Sequence, residues 1–353
     1  MLTLLFVAII IITFSLWWYL NTKIPENFPP GPPRYPIIGS GRYMLLEGEN
    51  GTKKSLMHGI FKNVEKYGKL LGFYLGSQPF VVIADYGMMK DLLKRDDVSG
   101  RAPSVPFNEF RPGHYTVGND NKGRAPGVLL SQGRGWNEQR RFLLRNLRDF
   151  GFGKSEMEET LLEEIEKLCN EYGNNSGKPI CLDNTLNLSI VNALWAILVG
   201  EKLPLNDPKI LKIVAGFNKV IRESTAGSRM VSMLPHPKLI FLFKKTLNLD
   251  IFENTLNDIT SIIERQIESH KSSFNSDDMR DMTDLFLKEI ENTHDKDSSF
   301  YKDRGYFNMI NDFIDLFLAG METTSTSLLW TFLYLLHHPD IKRKVHQELD
   351  KVR

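Results

Sequence analysis

Asn311-Asp312-Phe313-Ile314-Asp315-Leu316-Phe317-Leu318-Ala319-Gly320-Met321-Glu322-Thr323-Thr324-Ser325-Thr326-Ser327 lies inside an apolar pattern of helical period running from about Tyr306 to Leu336. At the standard rise this predicts a helix about 46 Å long, and the acids at 312, 315 and 322 argue against a membrane span. Ala319 and Gly320 leave room at mid-helix for something flat and close. Glu322 and Thr323 follow directly and are placed to relay protons. Five consecutive Thr/Ser residues are poor helix material, and hydroxyls that bond back to i−4 carbonyls bend helices. Two readings stand side by side: a bent core helix, and a groove opened beside a bound cofactor.

Outward from this stretch the chain reads as mostly helical. His337-His338-Pro339 marks a helix end rather than a metal site, and a further helix is predicted over 340–352. Upstream, 186–199 (LNLSIVNALWAILV) reads as a buried helix. In 155–172, Ser155 and Glu158 fit a capping box, with an apolar stripe of Met157, Leu161, Leu162, Ile165, Leu168 and Cys169. Residues 135–150 form one helix. On it Trp136 and Arg140 stand four apart and share a face. Indole N–H and guanidinium only donate, so the pair suits an anionic group; a cation–π surface pair is the plainer reading. Arg141, Arg145 and Arg148 occupy another face, either simply solvated or docking an acidic partner. Residues 101–128, with Phe107, Phe110, His114 and Tyr115, form a loop long enough to suggest function. Residues 70–84 predict two short strands around Gly76-Ser77-Gln78-Pro79, followed by a helix capped by Asp85 and ending near Lys94. Glu138-x-x-Arg141 and Gly153-Lys154-Ser155 are chance spacings; a phosphate loop would need glycine where Arg148 stands.

From Met1 to Leu20 there is no charge, and Trp17, Trp18 and Tyr19 sit where an aromatic belt would meet headgroups. An uncleaved anchor fits better than a signal peptide, which would carry a basic leader and a small-residue cleavage site. Lys23 and Arg34 follow the run and none precedes it, so the body is expected to face the cytosol. Phe28-Pro29-Pro30-Gly31-Pro32-Pro33 cannot be helix interior or central strand, and reads as a stiff spacer or as a ligand for a polyproline-binding module. The organisation expected is an anchor (1–22), a proline-rich hinge (23–40) and a body (41–353), β-containing over 41–100 and helical over 101–353.

The 353 residues carry 44 Lys+Arg against 43 Asp+Glu, a balance that argues against nucleic-acid binding. Two cysteines, Cys169 and Cys181, rule out a disulfide scaffold and show no zinc spacing.

Taken together, the anchor, the proline hinge, Trp136-Asn137-Glu138-Gln139-Arg140-Arg141-Phe142 running on through Leu147-Arg148-Asp149-Phe150-Gly151-Phe152-Gly153, and Ala319-Gly320-Met321-Glu322-Thr323-Thr324 resemble a microsomal haem-thiolate monooxygenase, a cytochrome P-450 of the animal drug- and hormone-metabolising group. The resemblance implies a mainly α fold with a small β lobe. It implies haem held at its propionates by Trp136, Arg140 and Arg101, with Ala319 and Gly320 against its plane. Thr323 and Glu322 would serve proton delivery. Phe107, Phe110 and Tyr115 would line an apolar substrate pocket, roofed by 102–128 and 203–245. The expected activity inserts one oxygen atom from O₂ into an apolar small molecule such as a steroid, hormone, fatty-acid-like compound or xenobiotic. Electrons would come from NADPH through a flavoprotein reductase, and the protein would be single-pass in the endoplasmic reticulum membrane, in contact with its lipid. The family's iron ligand is a cysteine in a glycine-containing loop preceded by an E-x-x-R helix. Neither motif occurs up to Arg353, so the chain is expected to be truncated or partial. The rival reading is an inactive, membrane-anchored helical fragment acting through protein contacts.

Overall fold

The computed structural model describes residues 2–45, 56–101, 109–113, 126–149, 155–203, 207–223, 244–245 and 247–352. The chain divides into two compact units, Met1–Gly100 with 104–107 and 223–250, and the remainder of the chain.

The first unit begins with α1 (Leu2–Thr22), which has no charged residue. Among the described residues no helix is long and apolar enough to cross a membrane. Next come α2 (Gly41–Met44), α3 (Leu56–Tyr67), the antiparallel pair β1 (Leu70–Leu75) and β2 (Gln78–Ile83), and α4 (Tyr86–Leu92). The hairpin turns at Gly76 and Ser77, as the sequence predicts. Asp85 caps α4 by accepting the Met88 N–H at 3.1 Å. Met44, Leu71, Phe73 and Leu75 form the small core, with Ile60 and Val64 of α3 against it.

The proline-rich stretch is a built part of this unit. The Gly72 amide donates to the Pro30 carbonyl at 2.9 Å. Ser40 joins the two, its hydroxyl donating to the Pro32 carbonyl and accepting the Tyr74 amide, each at 3.2 Å. The Arg34 guanidinium stacks 4.0 Å from the Tyr74 ring centre, and Phe28 packs on the same ring. A Cβ on Gly31 would sit 1.6 Å from the Gly72 carbonyl oxygen, so only glycine lets the two backbones meet here.

The second unit is helical: α5 (Gly133–Asp149), α6 (Ser155–Asn174), α7 (Leu182–Val199), α8 (Pro208–Glu223), α9 (Leu249–Ser272), α10 (Met282–Asn292), α11 (Lys302–His337) and α12 (Pro339–Val352). Packing centres on α11, against which α7 and α10 lie. Phe142 of α5, Phe286 of α10 and Phe313 of α11 pack in sequence, tilted at 4.6 Å and then edge-on at 5.7 Å between ring centres. Trp195 is fully buried on α7, which ends at Gly200 in the left-handed conformation (φ 70°).

α6 departs from its predicted stripe. Leu162 and Ile165 are 56% and 50% exposed, while Glu164 is buried. Glu164 survives there because Lys167 and Lys202 reach its carboxylate, at 2.7 and 3.6 Å. Those cations hold it below the usual carboxylate range even though burial pushes the other way.

Candidate functional site

α11 is continuous from Lys302 to His337, and its hydroxyl run is absorbed into the helix. Thr323 Oγ1 donates to the Ala319 carbonyl at 2.7 Å. Ser325 donates to Met321, Ser327 to Thr323 and Thr331 to Ser327, each at 2.8 Å. Ala319, Thr323 and Ser327 are exposed and spaced by four, so they form one open face of small and hydroxyl side chains. Beyond it Trp330 is 66% exposed. Glu322 is half-buried and accepts the Thr326 hydroxyl at 3.2 Å. Gly320 lies elsewhere: a Cβ there would come within 2.3 Å of Leu194 Cδ1, so its smallness serves the approach of α7.

On α5 the Arg140 guanidinium lies 5.4 Å from the Trp136 ring centre. Trp136 is half-buried and Arg140 exposed. The plainer cation–π reading is thus realised. α5 is seated through Ser299, whose amide donates to Glu138 Oε2 at 2.7 Å. The Ser299 hydroxyl accepts from Gln139 at 2.9 Å and its carbonyl accepts from Asn308 of α11 at 2.8 Å. One serine therefore fixes α5 against the entry to α11.

A buried polar network, missed in the sequence, lies at Asp315. Its carboxylate accepts from the Arg111 guanidinium, and its Oδ2 accepts the Val128 and Leu129 amides at 2.9 and 2.8 Å. Arg111 also donates to the Pro126 carbonyl at 3.0 Å, and the Gly127 amide donates to Asn308 Oδ1 at 3.1 Å. Together these seat 126–129, just ahead of α5, on α11.

A second cluster, His270, Asp281 and Asp284, brings its ligand-type atoms within 4.8 Å of one another. Every carboxylate is already engaged. Asp281 caps α10 through the Thr283 and Asp284 amides and meets His270 Nε2 at 2.6 Å. Asp284 takes Arg280 on both oxygens, at 2.6 and 2.8 Å. The donor set describes an ion-paired helix cap rather than a metal centre.

Of the other residues singled out, Arg101 is exposed in irregular backbone. Phe110 is half-buried, its ring edge-on to Phe252 at 6.2 Å. Phe107 and Tyr115 lie outside the described residues, as do 224–243 of the expected roof. Cys169 and Cys181 are exposed free thiols, on α6 and at the start of α7.

These groups suit haem in part. The open Ala319–Thr323 face admits a planar group, and Trp136 and Arg140 offer only donors, as a propionate requires. Neither cysteine is set among glycines that would let a backbone wrap an iron-bound sulfur.

A long central helix with a small-residue face is joined through Ser299 to a helix bearing an indole–guanidinium pair. The Cytochrome P450 family model matches residues 29–353, and the chain belongs to that family. It is similar to cytochrome P450 2J2 of Homo sapiens, 31% identical over 95% of this chain and 62% of that protein. It is also similar to cytochrome P450 18a1 of Drosophila melanogaster, 29% identical over 97% of this chain and 61% of that protein. Cytochrome P450 2D10 of Mus musculus matches at 29% over 99% of this chain and 65% of that protein. The chain spans about three fifths of the length of the curated relatives it matches.

Proposed function

We propose that this chain carries the oxygen-side helix and the propionate clamp of a haem-dependent monooxygenase acting on an apolar small molecule. The observation that carries the reading is the open α11 face, where the Thr323 hydroxyl stands exposed and oriented by the Ala319 carbonyl. When bound, haem supplies the redox-active iron at which dioxygen is activated. Trp136 and Arg140, with Arg101, would hold its carboxylates, and Ala319 would leave room for its plane. The Thr323 hydroxyl, on exchanging its bond to the Ala319 carbonyl for the bound oxygen, and the Glu322 carboxylate would serve proton delivery to that oxygen. Phe107, Phe110 and Tyr115 belong to the apolar pocket, which sets the preference for steroid-, hormone- or fatty-acid-like substrates and xenobiotics.

Electrons come from NADPH through a flavoprotein reductase, for which Arg141, Arg145 and Arg148 offer a basic docking face. The support for a single-pass anchor in the endoplasmic reticulum membrane, with the body toward the cytosol, is the charge-free sequence Met1–Leu20 followed by Lys23 and Arg34, and not the described helix, which alone falls short of a span. The family match supports this enzymatic reading over a fragment that acts only through contacts.

The test, made in a longer chain that includes the family's cysteine loop, is haem titration together with turnover under isotopically labelled O₂. One labelled oxygen atom is expected in the product. Arg140→Ala should weaken haem binding by about 10- to 150-fold, the equivalent of losing about 1.5–3 kcal/mol of charge-assisted hydrogen bond. Thr323→Ala should keep haem and divert reducing equivalents to peroxide. Haem affinity unmoved by Arg140→Ala, with coupling unmoved by Thr323→Ala, would remove both residues from these roles.

A further inference from the structure

Asp312 is a buried acid with no role in the chemistry above. It is fully buried on α11, and among the described residues no protein group donates to either of its oxygens. Asp315, three residues on, shares its face of the helix. The nearby Arg111 guanidinium donates to Asp315 and to the Pro126 carbonyl, and not to Asp312.

Two carboxylates and one guanidinium in a dry interior would leave an uncompensated negative charge, which burial strongly disfavours. Asp315 is the better place for the single charge, since the Val128 and Leu129 amides stabilise it. Asp312 has no such support. We propose that Asp312 is held as a neutral carboxylic acid, and that its ionisation unseats the 126–129 segment from α11, making the Arg111–Asp315 clamp pH-sensitive.

The direction of the acid's titration agrees. Burial first, and the Asp315 charge second, push Asp312 well above the usual carboxylate range, with Arg111 opposing. Those two are the charges that act on it. α7 carries no ionisable residue over 184–199. On α10, Asp284 is closed by Arg280.

The folded chain therefore holds a proton that the unfolded chain has lost, from the ordinary aspartate pKa up to the raised one. Across that window its contribution to stability falls as pH rises. Once Asp312 ionises, it competes with Asp315 for Arg111, and the hydrogen bonds to Val128 and Leu129 weaken with the bridge.

The experiment compares the 353-residue chain with Asp312→Asn, a neutral isostere of the protonated acid, from pH 4 to pH 9. Wild type should show the infrared carbonyl band of a buried carboxylic acid at neutral pH, absent from the variant. Asp312→Asn should melt above wild type at pH 8, with the gap closing toward pH 4. Hydrogen-exchange protection at Val128 and Leu129 should fall at alkaline pH in wild type and hold in the variant. Absence of the band, a variant that fails to fold or melts below wild type at pH 8, or parallel pH slopes would overturn the proposal. So would protection at the two amides that responds to pH equally in both proteins.

Discussion

His270 shows how much a single side chain does when two helices meet on it. Its Nδ1 lies 2.8 Å from the Gln266 carbonyl and its Nε2 2.6 Å from Asp281, the residue that caps α10. The Asp281 hydrogen bond is the largest influence and raises the imidazole pKa, while burial works against it. A raised folded value means the stabilisation is complete below the ordinary histidine pKa and is lost as pH climbs through the folded one. The α9–α10 junction is therefore expected to weaken across neutral to mildly alkaline pH. Thermal unfolding of His270→Gln should show a lower midpoint than wild type at pH 6, with the difference shrinking by pH 9. An unchanged difference across that range would mean that the ring's charge contributes nothing.

Among the elements, the proline-rich segment and β1 depend on a backbone contact that tolerates no side chain. Gly31→Ala puts a carbon into the Gly72 carbonyl oxygen, and neither is a flexible tip that can rotate away. The expected loss is about 3 kcal/mol, read as a lower denaturant midpoint at an unchanged slope. A midpoint within error of wild type would show that the segment shifts without cost. This contact was not legible from residues 28–40, because it is set by a glycine 41 positions away in a strand. The same holds for Asp315, whose partner Arg111 stands 204 residues upstream. Local signals fared well: the apolar period gave α11 nearly to its ends, and Gly76-Ser77 gave the hairpin. The stripe on α6 failed because Glu164 is buried beside it, where Lys167 and, from beyond the next helix, Lys202 reach its carboxylate. Of the candidate site, Ala319, Thr323 and the Trp136–Arg140 pair were visible in the sequence, whereas Gly320, read with Ala319, meets Leu194 of α7 instead. Ser299, which seats α5, was not, since a lone serine in a loop carries no pattern.

For the molecule as a whole, α1 and the folded body are expected to be separable. Its Ile11, Ile12, Phe14, Leu16, Trp17, Trp18 and Tyr19 are all exposed, so the small core does not need them. Deleting residues 2–22 should lower partition into lipid vesicles while removing no more helical circular dichroism than one such helix contributes. A larger loss would make α1 part of the folding unit. The join itself is short and braced. Arg34 Nη1 donates to the Lys23 carbonyl at 2.8 Å, and the Phe28 amide to the Pro25 carbonyl at 3.0 Å, so little slack lies between the end of α1 and the segment fixed to β1. Such a join acts mechanically as a bracket and not as a leash. About 30 Å of helix becomes a lever arm, and any tilt imposed on α1 is delivered as torque to the β hairpin.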